Sequence, residues 1–195
     1  LGDVYKRQSQ AKGLMGVDVH KPYKPLVPEA CGAAIMMASS ALILALALLK
    51  PRLAKEVAAF TLATVFVGMT GLLDDIRILD AKTKTFLTVM GAIPLVVLDA
   101  YTPRPLLPFI GKTRLTILYL LMLPLAIAVP ANAVNLMDTY NGVMPATMSL
   151  VFTALTFSSI AAYEYGLSSP FAAYASSVMA GSLLGYYVLN RYPSR

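Results

Sequence analysis

Six apolar stretches alternate with short polar ones along this chain, at roughly 30–49, 57–73, 86–101, 115–131, 143–163 and 170–189. Each approaches the length of about 17–25 residues that a membrane-crossing helix needs. None shows the period-2 alternation of a barrel strand. Backbone amides and carbonyls find no water inside lipid, so segments of this kind must bond internally, as helices. The third stretch, "FLTVMGAIPLVVLDAY", is short and holds Pro94. The predicted fold is therefore an all-α polytopic membrane protein with about six transmembrane helices, and no internal repeat accompanies the pattern.

If all six stretches cross, the polar segments fall alternately on two sides. One side receives residues 16–29, 74–84, 132–142 and 190–195, and the other 50–56, 102–114 and 164–169. The first set holds nearly every residue type that does chemistry, namely Asp18, His20, Lys21, Glu29, Asp74, Asp75, Lys84, Asn135, Asp138 and Asn141. The second holds the Pro, Gly and isolated charges of connecting loops.

Composition agrees with the pattern. Of 195 residues, 57% are hydrophobic and 13% charged, whereas a soluble domain carries about 25% charged residues. That excludes a soluble class. The net charge of +6 is scattered between apolar runs rather than gathered into a stripe, which fits loops beside a bilayer and predicts no nucleic-acid partner. A single cysteine, Cys31, excludes an internal disulfide and a Cys-rich metal site. The N-terminus, "LGDVYKRQSQAKG", is polar and lacks an apolar signal core; its first eight residues look like translated adaptor sequence. Residues 1–12 are thus read as a polar tail and 13–195 as one membrane domain. Outside those first eight residues, the chemistry-bearing side has Lys12, Lys21, Lys24, Arg77, Lys82, Lys84, Arg191 and Arg195, against Lys50, Arg52, Lys55, Arg104, Lys112 and Arg114 on the other. The surplus of cations places the chemical face in the cytoplasm.

Three polar segments carry candidate chemistry. In "GLLDDIRILDAKTK" two adjacent carboxylates end an apolar run and basic residues follow. Acids there can simply mark the water boundary, but adjacent carboxylates repel unless a cation or proton separates them. A hard divalent ion uses one or two carboxylates and leaves room for substrate phosphates. Lys84 lies ten positions beyond Asp74, about three helical turns on if the helix re-forms, where it would meet a phosphate as a point charge. In "NAVNLMDTYNG", Asn132 suits a helix cap and Asn141-Gly142 a turn. Asn135 and Asp138 share a face if the segment is helical, which offers an amide oxygen and a carboxylate to a cation or a ribose. "DVHKPYKPLVPE" is proline-rich and so predicts an extended, semi-rigid loop. His20 in it is read as solvated, and Glu29 either satisfies a helix N-terminus or binds substrate.

Taken in order, "GVDVHKPYKPLVPEACG", "GLLDDIRILDAKTK", "NAVNLMDTYNGV" and "LNRYPSR" resemble the polyprenyl-phosphate N-acetylhexosamine-1-phosphate transferases (glycosyltransferase family 4) from about residue 13 to 195. The Pro-Glu before a small-residue helix and the "NRYPSR" end look like the dolichol-type branch, and "NLMDTYNGVMP" looks archaeal. The resemblance implies transfer of N-acetylhexosamine-1-phosphate, foremost GlcNAc-1-phosphate, from a UDP-sugar to polyprenyl or dolichyl phosphate. UMP is released, in a first membrane step of lipid-linked glycan assembly. It implies Mg²⁺ (or Mn²⁺) as cofactor, membrane lipid as surroundings and a second copy of the chain as a candidate partner. Asp74, Asp75 and Lys84 are then the catalytic group, with the aspartates near metal and lipid phosphate and the lysine on the diphosphate. Asn135 and Asp75 are the metal ligands. Asn141 lies near the uracil and Glu29 near the ribose, with Asp18, Lys21 and Asp138 also on the substrate. The family's Gly-Asp element, whose aspartate is a metal ligand, does not occur by Arg195. The expectation is accordingly an inactive internal piece of a roughly ten-helix enzyme. A competing reading from the residues alone is a transporter with a cation site at Asp74 and Asn135; such sites lie near the bilayer midplane in broken helices.

Overall fold

The computed structural model describes residues 15–17, 26–28, 32–77, 79–104, 106, 107, 109, 111–137 and 141–191. Among them are seven α-helices, five of which are long and apolar enough to cross a membrane. In chain order these are α1 (Gly32–Leu49), α2 (Ala54–Ile76), α3 (Ala81–Met90), α4 (Ile93–Val97), α5 (Thr116–Met137), α6 (Val143–Glu164) and α7 (Phe171–Asn190). Two short antiparallel ladders lie in the polar segments and modify the all-α expectation. Strand β1 (Met15–Val17) pairs with β2 (Leu26–Pro28), and β3 (Leu106–Leu107) with β4 (Gly111–Lys112).

Large apolar side chains point outward rather than inward. Leu48, Ile117, Leu150 and Val188 are exposed, as befits a surface solvated by acyl chains. Many of the side chains buried between helices are small, with a few larger aliphatic ones among them. Ala175, Ser176, Ala180 and Leu183 line the inner side of α7, and Thr156 on α6 donates a 3.1 Å hydrogen bond to Ser176 Oγ. Small residues let helices approach closely where lipid offers no hydrophobic drive for association. A compact apolar cluster of Ile43, Leu53, Val57 and Ala175 ties α1, α2 and α7 together. Phe60 and Phe171 pack edge to face beside it, 5.7 Å between centroids.

The third predicted span is not one helix. Gly91 and Ala92 form a turn between α3 and α4, and Pro94 sits in the first turn of α4, where its missing N–H costs nothing. Neither piece alone is long enough to cross. Together, nonetheless, they run antiparallel to α2 over its full height. Lys84 meets Asp74 at one end, Gly91 lies against Val67 midway, and Lys55 meets Asp99 at the other. A Cβ on Gly91 would collide with Val67 Cγ2, so the turn residue is also the close-approach residue. Because the broken segment still returns the chain to the opposite end, the alternation of polar segments survives. The last turns of α2, α5 and α7 and the first turns of α3 and α6 share one end of the bundle.

Candidate functional site

That shared end is built from the turn after α2. Arg77 is extended (φ −137°, ψ 107°), with its N–H bonded to Leu73 O at 2.8 Å, and the helix stops there. Asp74, one turn earlier, caps the exposed loop: its Oδ1 accepts the Leu79 N–H at 3.0 Å. Asp80 then starts α3, accepting from the Thr83 N–H at 3.1 Å and the Thr83 hydroxyl at 2.6 Å. These bonds hold the Asp80 carboxyl below its ordinary value, the Thr83 hydroxyl contributing most.

The helix that re-forms does not continue the first. Lys84 meets Asp74 from a separate helix, not three turns further along one helix axis as a continuous helix would place it, because α3 runs antiparallel to α2. Lys84 Nζ donates to Asp74 Oδ2 at 2.5 Å and to Asn135 Oδ1 at 2.8 Å. Three elements thus converge on one ammonium group. Asp74 and Lys84 are each about one-fifth exposed, while Asn135 and Asp75 are exposed. Asp75 follows Asp74 but faces roughly 100° around the helix, so the paired acids occupy different surroundings.

Asn132 is not a cap, contrary to its sequence reading. It lies inside α5, where its Nδ2 donates to Ala128 O at 2.8 Å and to Thr88 Oγ1 at 3.4 Å. Thr88 is buried on α3 one turn past Lys84. The Asn132–Thr88 contact holds α5 against α3 directly beneath the Lys84–Asn135 contact. Thr88 carried no sequence signal, since threonine is common in membrane helices.

Asn141 and Gly142 form the predicted turn. Gly142 has φ +85° and is the N-cap of α6. Asn141 is separated from Asn135 by six residues of chain, a reach of at most about 20 Å, and lies at the same end of the bundle. Its Nδ2 is buried without a partner among the described residues. Asp18, Lys21, Glu29 and Asp138, assigned to substrate by sequence, lie outside the described residues, as does His20. The structure therefore brings together Asp74, Lys84 and Asn135, and sets Asp75 and Asn141 at the same end. No cluster of three His, Cys, Asp or Glu side chains occurs among the described residues. The convergent polar groups sit in the terminal turns of their helices, not at mid-height where a carrier's cation site is expected.

Fold and site together define a polytopic membrane bundle with its hydrogen-bonding side chains gathered at one end. Residues 57–195 match the glycosyl transferase family 4 profile, and the chain belongs to that family. It is 30% identical over 190 residues to a Sulfolobus acidocaldarius protein, covering 94% of this chain and 57% of the relative. It is 26% identical over 194 residues to one from Saccharolobus solfataricus, covering 97% of this chain and 58% of the relative. Both carry the provisional name UDP-N-acetylglucosamine–dolichyl-phosphate N-acetylglucosaminephosphotransferase. A Clostridium novyi phospho-N-acetylmuramoyl-pentapeptide-transferase is 29% identical over 177 residues, with 84% of this chain and 52% of the relative aligned. The chain spans little more than half the length of these curated relatives.

Proposed function

We propose that the full-length protein transfers N-acetylhexosamine-1-phosphate from a UDP-sugar to a polyprenyl phosphate, releasing UMP, at the cytoplasmic end of a membrane bundle. GlcNAc-1-phosphate and dolichyl phosphate are the donor group and acceptor in the names of the two archaeal relatives, and we adopt both. The observation that carries the reading is the single ammonium held by Asp74 Oδ2 and Asn135 Oδ1 at the membrane-surface end of three helices. A soluble nucleotide and a lipid-anchored phosphate can meet only at such a surface.

The donor set fits a hard divalent ion. Two oxygens already face one cation, and Mg²⁺ or Mn²⁺ takes one or two carboxylates while completing its shell with water and substrate phosphates. Asn135 and Asp75 would hold it, with Asp74 facing the same ammonium as Asn135. When bound, the ion neutralises charge on the diphosphate. Lys84 serves as a point charge for the same diphosphate, because its ammonium has three donors and the described residues engage two. An oxygen of the lipid phosphate forms a bond to the β-phosphorus as the bridging bond to UMP breaks. The carrier's second pKa is near about 6, so it is largely dianionic at neutral pH and needs no strong base. The chain's own contribution is to position the phosphates and offset their charge.

The test is UMP release by the full-length protein from UDP-GlcNAc and dolichyl phosphate. Asp75→Asn and Asn135→Ala should each lower kcat by about 10²-fold or more. Near-normal turnover in either variant would remove that residue from the site. Absence of any UMP release by the wild-type protein would remove the reaction itself.

A further inference from the structure

We propose that Asn190 is a positioning residue that clamps the α5–α6 turn from α7 and thereby aims the Asn141 carboxamide at the nucleotide. The inference rests on the reaction proposed above and adds a residue to it. Asn190 is the last residue of α7, more than forty positions beyond the turn it holds. Its Oδ1 accepts the Gly142 N–H at 2.6 Å. Its Nδ2 donates to the Tyr186 hydroxyl one turn back, at 2.9 Å. Both ends of the carboxamide are thus engaged, which fixes its rotamer and leaves it no freedom to follow a moving loop.

The clamped residue is itself constrained. Gly142 is buried with φ +85°, and a Cβ there would lie 3.2 Å from Arg191 Cα and 3.3 Å from Tyr187 Cε2. The turn is therefore pressed against the end of α7, and a side chain at 142 would push it away. Asn141 immediately precedes this anchored point. A buried amide donor without a partner requires an explanation, and Asn141 Nδ2 is one. A ligand carbonyl supplies the missing acceptor, and the Watson–Crick edge of uracil offers two carbonyls flanking an N–H. An amide that must read such an edge needs a fixed approach, and the Asn190–Gly142 bond supplies it.

The experiment titrates UMP and CMP separately into the full-length protein by calorimetry, alongside steady-state kinetics. Asn190→Leu removes both bonds. It should raise the Kd for UMP and the KM for the UDP-sugar about tenfold, the loss of one well-aligned hydrogen bond. It should also shrink the preference for UMP over CMP, while kcat and the KM for the lipid phosphate stay within about threefold, since the reacting groups lie on other helices. Asn190→Asp keeps an acceptor for the Gly142 N–H and should recover most of the UMP affinity. Tyr186→Phe, a milder change, should move the same quantities in the same direction by less. Combining Asn190→Leu with Asn141→Ala should add nothing to Asn141→Ala alone, because the two act through one contact. Unchanged UMP affinity and UMP/CMP ratio in Asn190→Leu would overturn the proposal. So would a uniform loss of kcat and both substrates' affinities without rescue by Asn190→Asp, the mark of a merely structural role. A wild-type protein that releases UMP but shows no UMP/CMP preference would overturn this inference alone. A wild-type protein that binds no uridine nucleotide would remove the underlying reaction as well.

Discussion

Two lysine–aspartate pairs stand at opposite ends of the bundle, and the same two helical segments provide both. α2 contributes Lys55 near its start and Asp74 near its end; the α3–α4 segment and its exit answer with Asp99 and Lys84. The polarity is reversed between the ends, so the pairs pin the antiparallel register without favouring a slip. Their construction differs. Lys55 and Asp99 are 3.9 Å apart, with side chains 53% and 81% exposed, beside the stacked rings of Tyr101 and Tyr119. Lys84 and Asp74 are 2.5 Å apart and about one-fifth exposed, and each has a further partner in Asn135 or the Leu79 amide. An exposed pair is screened by water and gains little. A half-buried pair with extra hydrogen bonds fixes geometry, because breaking it strands charged atoms. One end of the segment is a screened fastening, whereas the other holds its side chains in a fixed geometry.

The sharpest way to break this comparison is to remove one lysine from each end. Lys84→Met in the full-length protein should lower kcat for UMP release by about 10³-fold, whereas Lys55→Met should leave it within twofold. Equal effects would mean that the two pairs serve the same purpose. Next in size, Gly91→Ala places a Cβ against Val67 in the middle of the same helix pair. It should destabilise the detergent-solubilised protein by about 1–3 kcal/mol through overpacking. Val67→Ala in the same chain should recover most of that loss, as read from the thermal unfolding midpoint. Failure of the second change to compensate would show that α3–α4 does not pack on α2 as described.

Smaller effects sharpen the distinction. Asp99 has φ +48°, a conformation asparagine also tolerates, so Asp99→Asn isolates the charge. It should change stability by about 0–1 kcal/mol and leave activity untouched. Least of all, Asp80→Ala removes the cap of α3. The Thr83 bonds hold the Asp80 carboxyl below its ordinary 3.8. Its stabilisation is accordingly complete above that value and is lost as the pH falls through the lower folded-state pKa. The gap in unfolding midpoint between wild type and Asp80→Ala should persist at neutral pH and close in strong acid.

The hydropathy pattern located all five long helices, four of them to within three residues at each end and α5 ending six residues later than predicted, because lipid requires the backbone to bond within each segment wherever twenty apolar residues run together. It also sorted the polar residues onto two ends, since each crossing reverses the side. Composition alone therefore determined the class of the protein, and "DDIRILDAKTK" and "NAVNLMDTYNG" supplied the side chains that meet at one end of the bundle. The tertiary structure decided what no local pattern encodes. It broke the third stretch at Gly91, where Val67 on another helix leaves no room for a side chain, and still returned the chain to the opposite end of the bundle. It turned Lys84 back onto Asp74 instead of carrying it along one axis, with the Leu79 N–H donating a hydrogen bond to Asp74 Oδ1 in the reversal. It placed Asn132 between helices and not at a cap, and joined Asn190 to Gly142 across 48 positions. Periodicity reports which face of an element avoids water, a property of nearest neighbours. Which side chains then share a hydrogen bond depends on how whole helices pack, and that is set by close contacts between residues far apart in the chain.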